Sequence, residues 1–151
     1  ASPTGTRSLP LCEFFELDGM TRNVLESGEL VTHITIPEDS TEWSGDYQKL
    51  RQRDSWDFPE AGVAVLWKGI SSSGPESLRV ATTGLESIPS LHLEEAKEAL
   101  SRWRGAETIE DIAESIRKAV RTVQNTWFSA AYRRKMVKVL TKRACRDLLV
   151  S

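Results

Sequence analysis

The chain has 151 residues and carries 20 basic against 22 acidic side chains, which gives a formal net charge of -2. That length corresponds to one domain, or two small ones, and excludes an enzyme that assembles several cofactors by itself. A nearly neutral chain has no overall field that would attract nucleic acid or an anionic membrane. Because no apolar run approaches the ~18 residues of a membrane span and the polar opening has no signal-peptide core, we expect a cytoplasmic protein.

β-branched residues predict four strands in the first half of the chain, over residues 29–37, 46–53, 61–67 and 77–83. In the first, Ile34 and Ile36 alternate with Thr35 until Pro37 stops pairing. The last two strands are expected to form a hairpin around residues 68–75, which are rich in turn formers. In the second strand, one face would be strongly basic, because alternate positions there carry Tyr47, Lys49, Arg51 and Arg53.

After Pro89 the apolar period changes from two to 3.6, which predicts three helices. The first ends near Gly105, the second follows Thr108, and the third covers residues 129–149. Two apolar stripes mark the later helices: Ile109, Ile112, Ile116, Val120 and Val123, and then Val137, Leu140, Ala144 and Leu148. Strands followed by helices indicate an α+β fold, a small antiparallel sheet of three to four strands followed by a three-helix layer. We expect residues 1–7 to be a linker and residues 8–151 to form a single domain.

The chain offers no self-contained active site. Cys12 and Cys145 lie near opposite ends, and neither belongs to a Cys-x-x-Cys pair, so a metal centre is not expected. The two histidines, His33 and His92, have no second histidine or cysteine close in sequence, and we interpret them as ordinary polar side chains. No glycine-rich phosphate-binding motif is present.

Charge is distributed unevenly along the chain. Residues 126–151 carry seven basic residues against Asp147, a balance of +6, which leaves -8 for residues 1–125. This basic last helix could track the phosphates of a nucleic acid, in a freestanding binding or regulatory module. The favoured alternative is a solvated helix whose cations meet the acidic part of the same chain.

Residues 47–65 combine cations with the acidic Asp54 and Asp57 on a strand and the loop after it. Burying such charged side chains costs free energy, but next to an anion or a polar ring they can form favourable contacts. It is equally typical of protective charges on an edge strand followed by a turn. The residues alone leave both interpretations open.

Three stretches, taken in order, resemble one known family. They are residues 7–37, which end in Leu-Val-Thr-His-Ile-Thr-Ile-Pro, the run Tyr47-x-Lys-x-Arg-x-Arg53 with Asp57-Phe58 after it, and Ser129-Ala-Ala-Tyr-Arg-Arg134. Together they are similar to the C-terminal domain of the flavin-binding subunit of molybdenum hydroxylases, the xanthine dehydrogenase and carbon monoxide dehydrogenase family. The chain departs from the family pattern at Trp127 and Phe128, which are extra core anchors or an apolar contact with a missing domain.

The resemblance implies a domain that helps to shape the flavin-side electron-transfer surface of an oxidoreductase and its subunit contacts. It implies FAD in the intact subunit, held mostly by upstream FAD-binding domains, with molybdopterin and iron–sulfur clusters on partner subunits. By residue matching, Lys49, Arg53, Asp57 and Phe58 would lie nearest the flavin edge. No catalytic residue is expected in this chain, and by itself it is not expected to be catalytically competent.

Overall fold

The computed structural model of the protein describes residues 1–54, 56–125 and 127–149. Its regular elements are the strands β1 (Ser44–Leu50), β2 (Ala61–Ser71), β3 (Gly74–Thr83) and β4 (Ser90–Leu91), and the helices α1 (Leu93–Leu100), α2 (Ala106–Ala119) and α3 (Ala130–Ala144). Short 3-10 turns occur at Leu11–Glu13, Glu38–Glu42 and Arg146–Leu149. The expected α+β architecture is confirmed: four antiparallel strands in the order β1-β2-β3-β4, followed by three helices.

The β2–β3 hairpin is the centre of the sheet. Trp67 pairs with Leu78, and Ser71 pairs with Gly74, so only two residues form the turn. The predicted loop over residues 68–75 is therefore wrong: both strands continue into it. Gly74 has a φ of 98°, and an added Cβ would lie 2.4 Å from the Trp103 ring, so the glycine that indicated a loop instead permits a tight turn packed on an indole.

One face of the sheet and the inner faces of the helices form the core. Alternate residues of β2 and β3 are fully buried, among them Val63, Val65 and Val80. The helices cover this face, with α1 packed on β3 and α3 packed on β1 and β2. The predicted stripes are buried except at Val123, which is exposed; Val120 and Leu148 are buried just beyond the ends of α2 and α3. The third helix therefore ends at Ala144, five residues before the predicted limit. Thr108 lies inside α2, where Gly105 takes the cap position, so the predicted helix start is three residues late.

β1 ends at Leu50, three residues before the predicted limit. The backbone N–H groups of Gln52 and Arg53 donate to the Asp57 carboxylate instead of continuing the ladder. The expected basic strand face is therefore wrong beyond Lys49, because Arg51 and Arg53 lie in the loop that follows.

The predicted strand over residues 29–37 is also wrong within this chain. The segment has no paired strand beside it, and Ile34 and Ile36 are 81% and 76% exposed. β-branched residues favour a pleated surface that packs against neighbours, and no described part of the chain supplies that neighbour. Indeed, no described residue before Ala61 is buried.

Candidate functional site at the β1–β2 loop

The carboxylate of Asp57 organises the loop between β1 and β2. Its Oδ2 accepts the backbone N–H groups of Gln52 and Arg53 at 3.1 and 3.0 Å. Its Oδ1 accepts the backbone N–H of Phe58 at 3.0 Å and the Arg53 guanidinium at 3.2 Å. The backbone and side-chain hydrogen bonds from Arg53 contribute most to lowering the pKa of Asp57 to about 2, so the carboxylate stays ionised near neutral pH. The Asp57 carboxylate, which can only accept hydrogen bonds, thus holds the backbone of the loop in place.

Lys49 connects the loop to the sheet. Its Nζ donates to the backbone carbonyl of Asp57 at 3.1 Å. A shallow hollow of about 330 Å³ lies beside it, lined by Lys49, Arg51, Trp56, Asp57 and Phe58. Three of the four residues that the sequence selected therefore line the hollow, and the fourth, Arg53, forms an ion pair with Asp57.

Two aromatic rings stand out from this loop. Trp56 is 89% exposed and Phe58 is 82% exposed. Rings of this size ordinarily bury most of their area, so two such rings on one short loop form an apolar patch that suits a flat partner. The sequence analysis selected Phe58 but missed Trp56. The available signal was an aromatic residue placed between polar loop residues and next to Asp57.

Arg133 anchors the far end of the loop and was also missed as a functional residue. It lies on α3 and is 2% exposed. Its guanidinium donates to the carbonyls of Glu60 and Val123, both at 2.7 Å, and to that of Gly84. Burial lowers the pKa of Arg133, and the nearby Glu60 partly opposes this effect. One cation thus joins the end of the β1–β2 loop, the turn after β3 and the segment before α3.

Steric space at this junction requires glycine at position 84. Gly84 has a φ of 72°, and an added Cβ would lie 2.6 Å from the Pro59 carbonyl oxygen. The Glu60 carboxylate accepts from Gln52 at 3.3 Å and from the side-chain amide of Asn125. Glu60 therefore joins the two ends of the loop to each other and to the segment before α3.

Two lysines of the basic last helix form ion pairs within the chain. Lys138 lies 2.6 Å from Glu110 and 3.2 Å from Glu114, and Lys142 lies 2.6 Å from Glu110. Hydrogen bonds from Lys138 and then Lys142 lower the pKa of Glu110. These contacts support the interpretation in which the cations meet the acidic part of the chain, and the nucleic-acid alternative is not favoured.

The remaining candidate residues have ordinary surroundings. The Nε2 atom of His92 lies 2.9 Å from the Thr82 hydroxyl, and burial lowers its pKa. Cys12 is exposed and Cys145 is buried, and both are free thiols. Among the residues that the structure describes, no group of three or more His, Cys, Asp or Glu side chains could hold a metal ion. Trp127 is exposed, whereas Phe128 packs on Tyr132 with ring centroids 5.2 Å apart.

A family model matches most of the chain. Residues 46–148 match the model of the CO dehydrogenase flavoprotein C-terminal domain. This match covers more than half of the chain, and the chain belongs to that family. The expected resemblance is confirmed.

Individual relatives agree with this assignment. The chain is 28% identical over 148 residues to the glyceraldehyde dehydrogenase medium chain of Sulfolobus acidocaldarius, covering 98% of this chain and 51% of the relative. Its structure is similar to that of a carbon monoxide dehydrogenase from Hydrogenophaga pseudoflava, with a TM-score of 0.80, 26% identity, and coverage of 98% of this chain and 50% of the other. Quinoline 2-oxidoreductase from Pseudomonas putida 86 has the same fold, with a TM-score of 0.84, 19% identity, and coverage of 99% and 50%.

The chain spans about half the length of these relatives. None of the helices in the described ranges is long and apolar enough to cross a membrane.

Proposed function

We propose that this chain is the C-terminal part of the flavoprotein subunit of a molybdenum hydroxylase, where its β1–β2 loop forms part of the surface beside FAD. The observation that carries the proposal is the family match over residues 46–148. When bound, FAD would supply the redox chemistry of the subunit, and partner subunits would supply molybdopterin and iron–sulfur clusters. The family relatives are named as a medium chain and as carbon monoxide dehydrogenases, which supports a role within such an assembly.

The residues of the loop fit an edge contact with a flavin. A conjugated ring system can pack against exposed aromatic side chains, and Trp56 and Phe58 offer two of them. Lys49 lines the same hollow and can direct its positive charge towards a polar ring edge. Asp57 acts as a positioning residue, because its hydrogen bonds hold Arg53 and the backbone of Phe58.

The same residues do not fit a complete FAD site. The sequence has no glycine-rich segment that could surround a pyrophosphate. We therefore assign the phosphates and the adenosine to upstream FAD-binding domains, with only the ring edge left to this chain. Binding of FAD to this chain by itself is accordingly expected to be millimolar or undetectable by titration calorimetry.

The test uses the complete subunit that contains this chain, with Phe58→Ala and Trp56→Ala as the variants. Leu91→Ala is the matched control, because Leu91 is also exposed but lies on β4, away from the loop. We expect the loop variants to change the fluorescence and the reduction potential of bound FAD, with no loss of thermal stability. Flavin signals equal to those of the control in both variants would refute the placement of the loop. A purified subunit without FAD would refute the flavoprotein proposal itself.

A further inference from the structure

Glu60 holds the base of the β1–β2 loop through three of its own groups. Its backbone N–H donates to the Leu50 carbonyl at 2.8 Å, which closes the loop. Its backbone carbonyl accepts the Arg133 guanidinium at 2.7 Å. Its carboxylate accepts the side-chain amide of Gln52 at 3.3 Å and that of Asn125. The carboxylate therefore joins the start of the loop to the segment before α3.

Asn125 is the partner of this carboxylate outside the loop. Its Oδ1 accepts the backbone N–H groups of Trp127 and Phe128 at 3.2 and 3.0 Å. Its Nδ2 donates to the Glu60 carboxylate. One end of the Asn125 side chain must accept and the other must donate, so a neutral amide meets both demands, whereas an ionised carboxylate meets only the first. The residue type at position 125 is therefore matched to the charge at position 60.

The same carboxylate is connected to the aromatic part of the loop. Gln52 donates its side-chain amide to Glu60 and its backbone N–H to the Asp57 carboxylate at 3.1 Å. Asp57 in turn accepts the backbone N–H of Phe58 at 3.0 Å. Hydrogen bonds thus continue from Asn125 and Glu60, through the start of the loop, to the backbone of Phe58, whose ring is 82% exposed.

Charge makes this contact selective for an amide. Among the described residues, the donors to the Glu60 carboxylate are two neutral amides, those of Gln52 and Asn125. The nearby cation, Arg133, donates to backbone carbonyls instead. A carboxylate at position 125 would therefore bring two negative charges within hydrogen-bond distance, which disfavours the ionised form of both. Replacing the amide by a carboxylate of the same size would thus turn an attraction into a repulsion.

We propose that Glu60 and Asn125 are a pair of positioning residues for the flavin-side loop, in which the amide at position 125 holds the carboxylate at position 60 and, through it, the aromatic rings of the loop. Neither residue lines the hollow beside Lys49, so the pair acts through the loop and not by contact with FAD. Side chains that contact a cofactor keep their geometry when supporting hydrogen bonds lock them in place. The inference rests on the proposed function, because that function places FAD beside these rings.

Asn125→Asp tests the pair selectively. The new side chain keeps an oxygen for the two backbone N–H groups that follow it, but it faces Glu60 with a second negative charge. In the complete subunit, we expect exchange of the amide hydrogens of Gln52 and Phe58 to become about tenfold faster. The fluorescence and the reduction potential of bound FAD should change as well. The paired amides of β2 and β3 serve as the internal reference and should change little.

A second substitution restores the pair with its charges exchanged. When Glu60→Gln is combined with Asn125→Asp, the amide lies at position 60 and donates to the new carboxylate, while its oxygen still accepts from Gln52. We expect amide exchange in this double variant to return to within about twofold of the unsubstituted subunit, which is the coupling that defines a pair. A charge that acted on the flavin only through distance would alter the reduction potential without changing amide exchange.

Asn23→Asp is the matched control. Asn23 also accepts a backbone N–H, that of Leu25 at 3.1 Å, and within the described ranges its side chain has no hydrogen bond to a carboxylate. This control should leave the loop amides and the flavin signals unchanged. Gln52→Glu repeats the test should Asn125→Asp fail to fold, because Gln52 is exposed and meets Glu60 from the loop side. Glu60→Gln should reverse the effect of Gln52→Glu as well.

Three results would overturn the inference. The first is unchanged exchange at the loop amides in both Asn125→Asp and Gln52→Glu. The second is a double variant that lies no closer to the unsubstituted subunit than the single variant does. The third is faster exchange of the loop amides with constant flavin signals, since the pair would then hold the loop without positioning it against FAD. A purified subunit without FAD would refute the proposed function, and amide exchange would still show whether the pair holds the loop.

Discussion

Replacing Arg133 with methionine should destabilise the domain strongly. Methionine keeps the apolar stem, but it leaves the carbonyls of Glu60, Gly84 and Val123 without their buried donor. Hydrogen bonds to a charged group contribute roughly 1.5–3 kcal/mol each, and removal of a buried charge returns several kcal/mol of desolvation cost. The expected net loss is about 3 kcal/mol, a large share of the roughly 5–15 kcal/mol that stabilises a typical domain.

Urea unfolding followed by tryptophan fluorescence measures this loss. The midpoint should fall while the dependence on urea stays the same, because the folded surface is unchanged. Lys135→Met is the control, since Lys135 is exposed on the same helix and should change stability by no more than about 0.5 kcal/mol. A loss below about 1 kcal/mol for Arg133→Met would refute the view that this side chain joins the three segments.

Three other predictions concern single side chains. Ile116→Asp should unfold the domain in circular dichroism, because Ile116 is completely buried and a charge there has no partner; a near-normal melting temperature would contradict the described core. Burial lowers the pKa of His92 below its usual 6.5, although the charges of Glu95 and Glu86 act in the opposite direction. The neutral ring therefore contributes stability that is present above about pH 6.5 and is lost as the pH falls. The urea midpoint should be lower at about pH 5.5 than at about pH 7.5, and this difference should be smaller in His92→Gln. Burial raises the pKa of Cys145 to about 12, so a thiol reagent should label Cys12 alone in the folded chain and both thiols in urea; rapid labelling of Cys145 without urea would contradict this prediction.

Periodic elements were predictable from the sequence, because their burial repeats along the chain. The stripe of Ile109, Ile112 and Ile116 identified the inner face of α2, and Ser129 was placed correctly at the start of α3, where its side chain accepts the Tyr132 N–H at 3.1 Å. The hairpin was also predicted, but its turn was assigned too many residues. Glycine marks both long loops and tight turns, and only the packing of Gly74 on Trp103 distinguishes them here.

The candidate site was predictable only in part. Lys49, Arg53, Asp57 and Phe58 were selected together through the family resemblance. The structure places three of them around one hollow and pairs Arg53 with Asp57. Their proximity to a flavin stays a prediction. Arg133 could not be selected, because its role depends on carbonyls up to 73 positions away in sequence, and a basic helix shows no sign of which cation turns inward.

The strand over residues 29–37 illustrates a different limit. The β-branched residues of this segment favour a strand, but a strand also needs the edge of a neighbouring strand with which to form backbone hydrogen bonds. The described part of this chain does not provide one. The error therefore concerned the pairing and not the local preference of the segment.

The simple order of the sheet has a consequence for the kinetics of folding. Each strand pairs with its neighbour in the chain, so the β2–β3 hairpin can form through short loop closures, whereas α3 reaches β1 and β2 only after most of the chain has been arranged. Substitutions in the hairpin should therefore slow refolding, and substitutions at Arg133 should mainly speed unfolding. The hydrogen bonds of Arg133, which hold the end of the β1–β2 loop, would then be among the last contacts to form and the first to open.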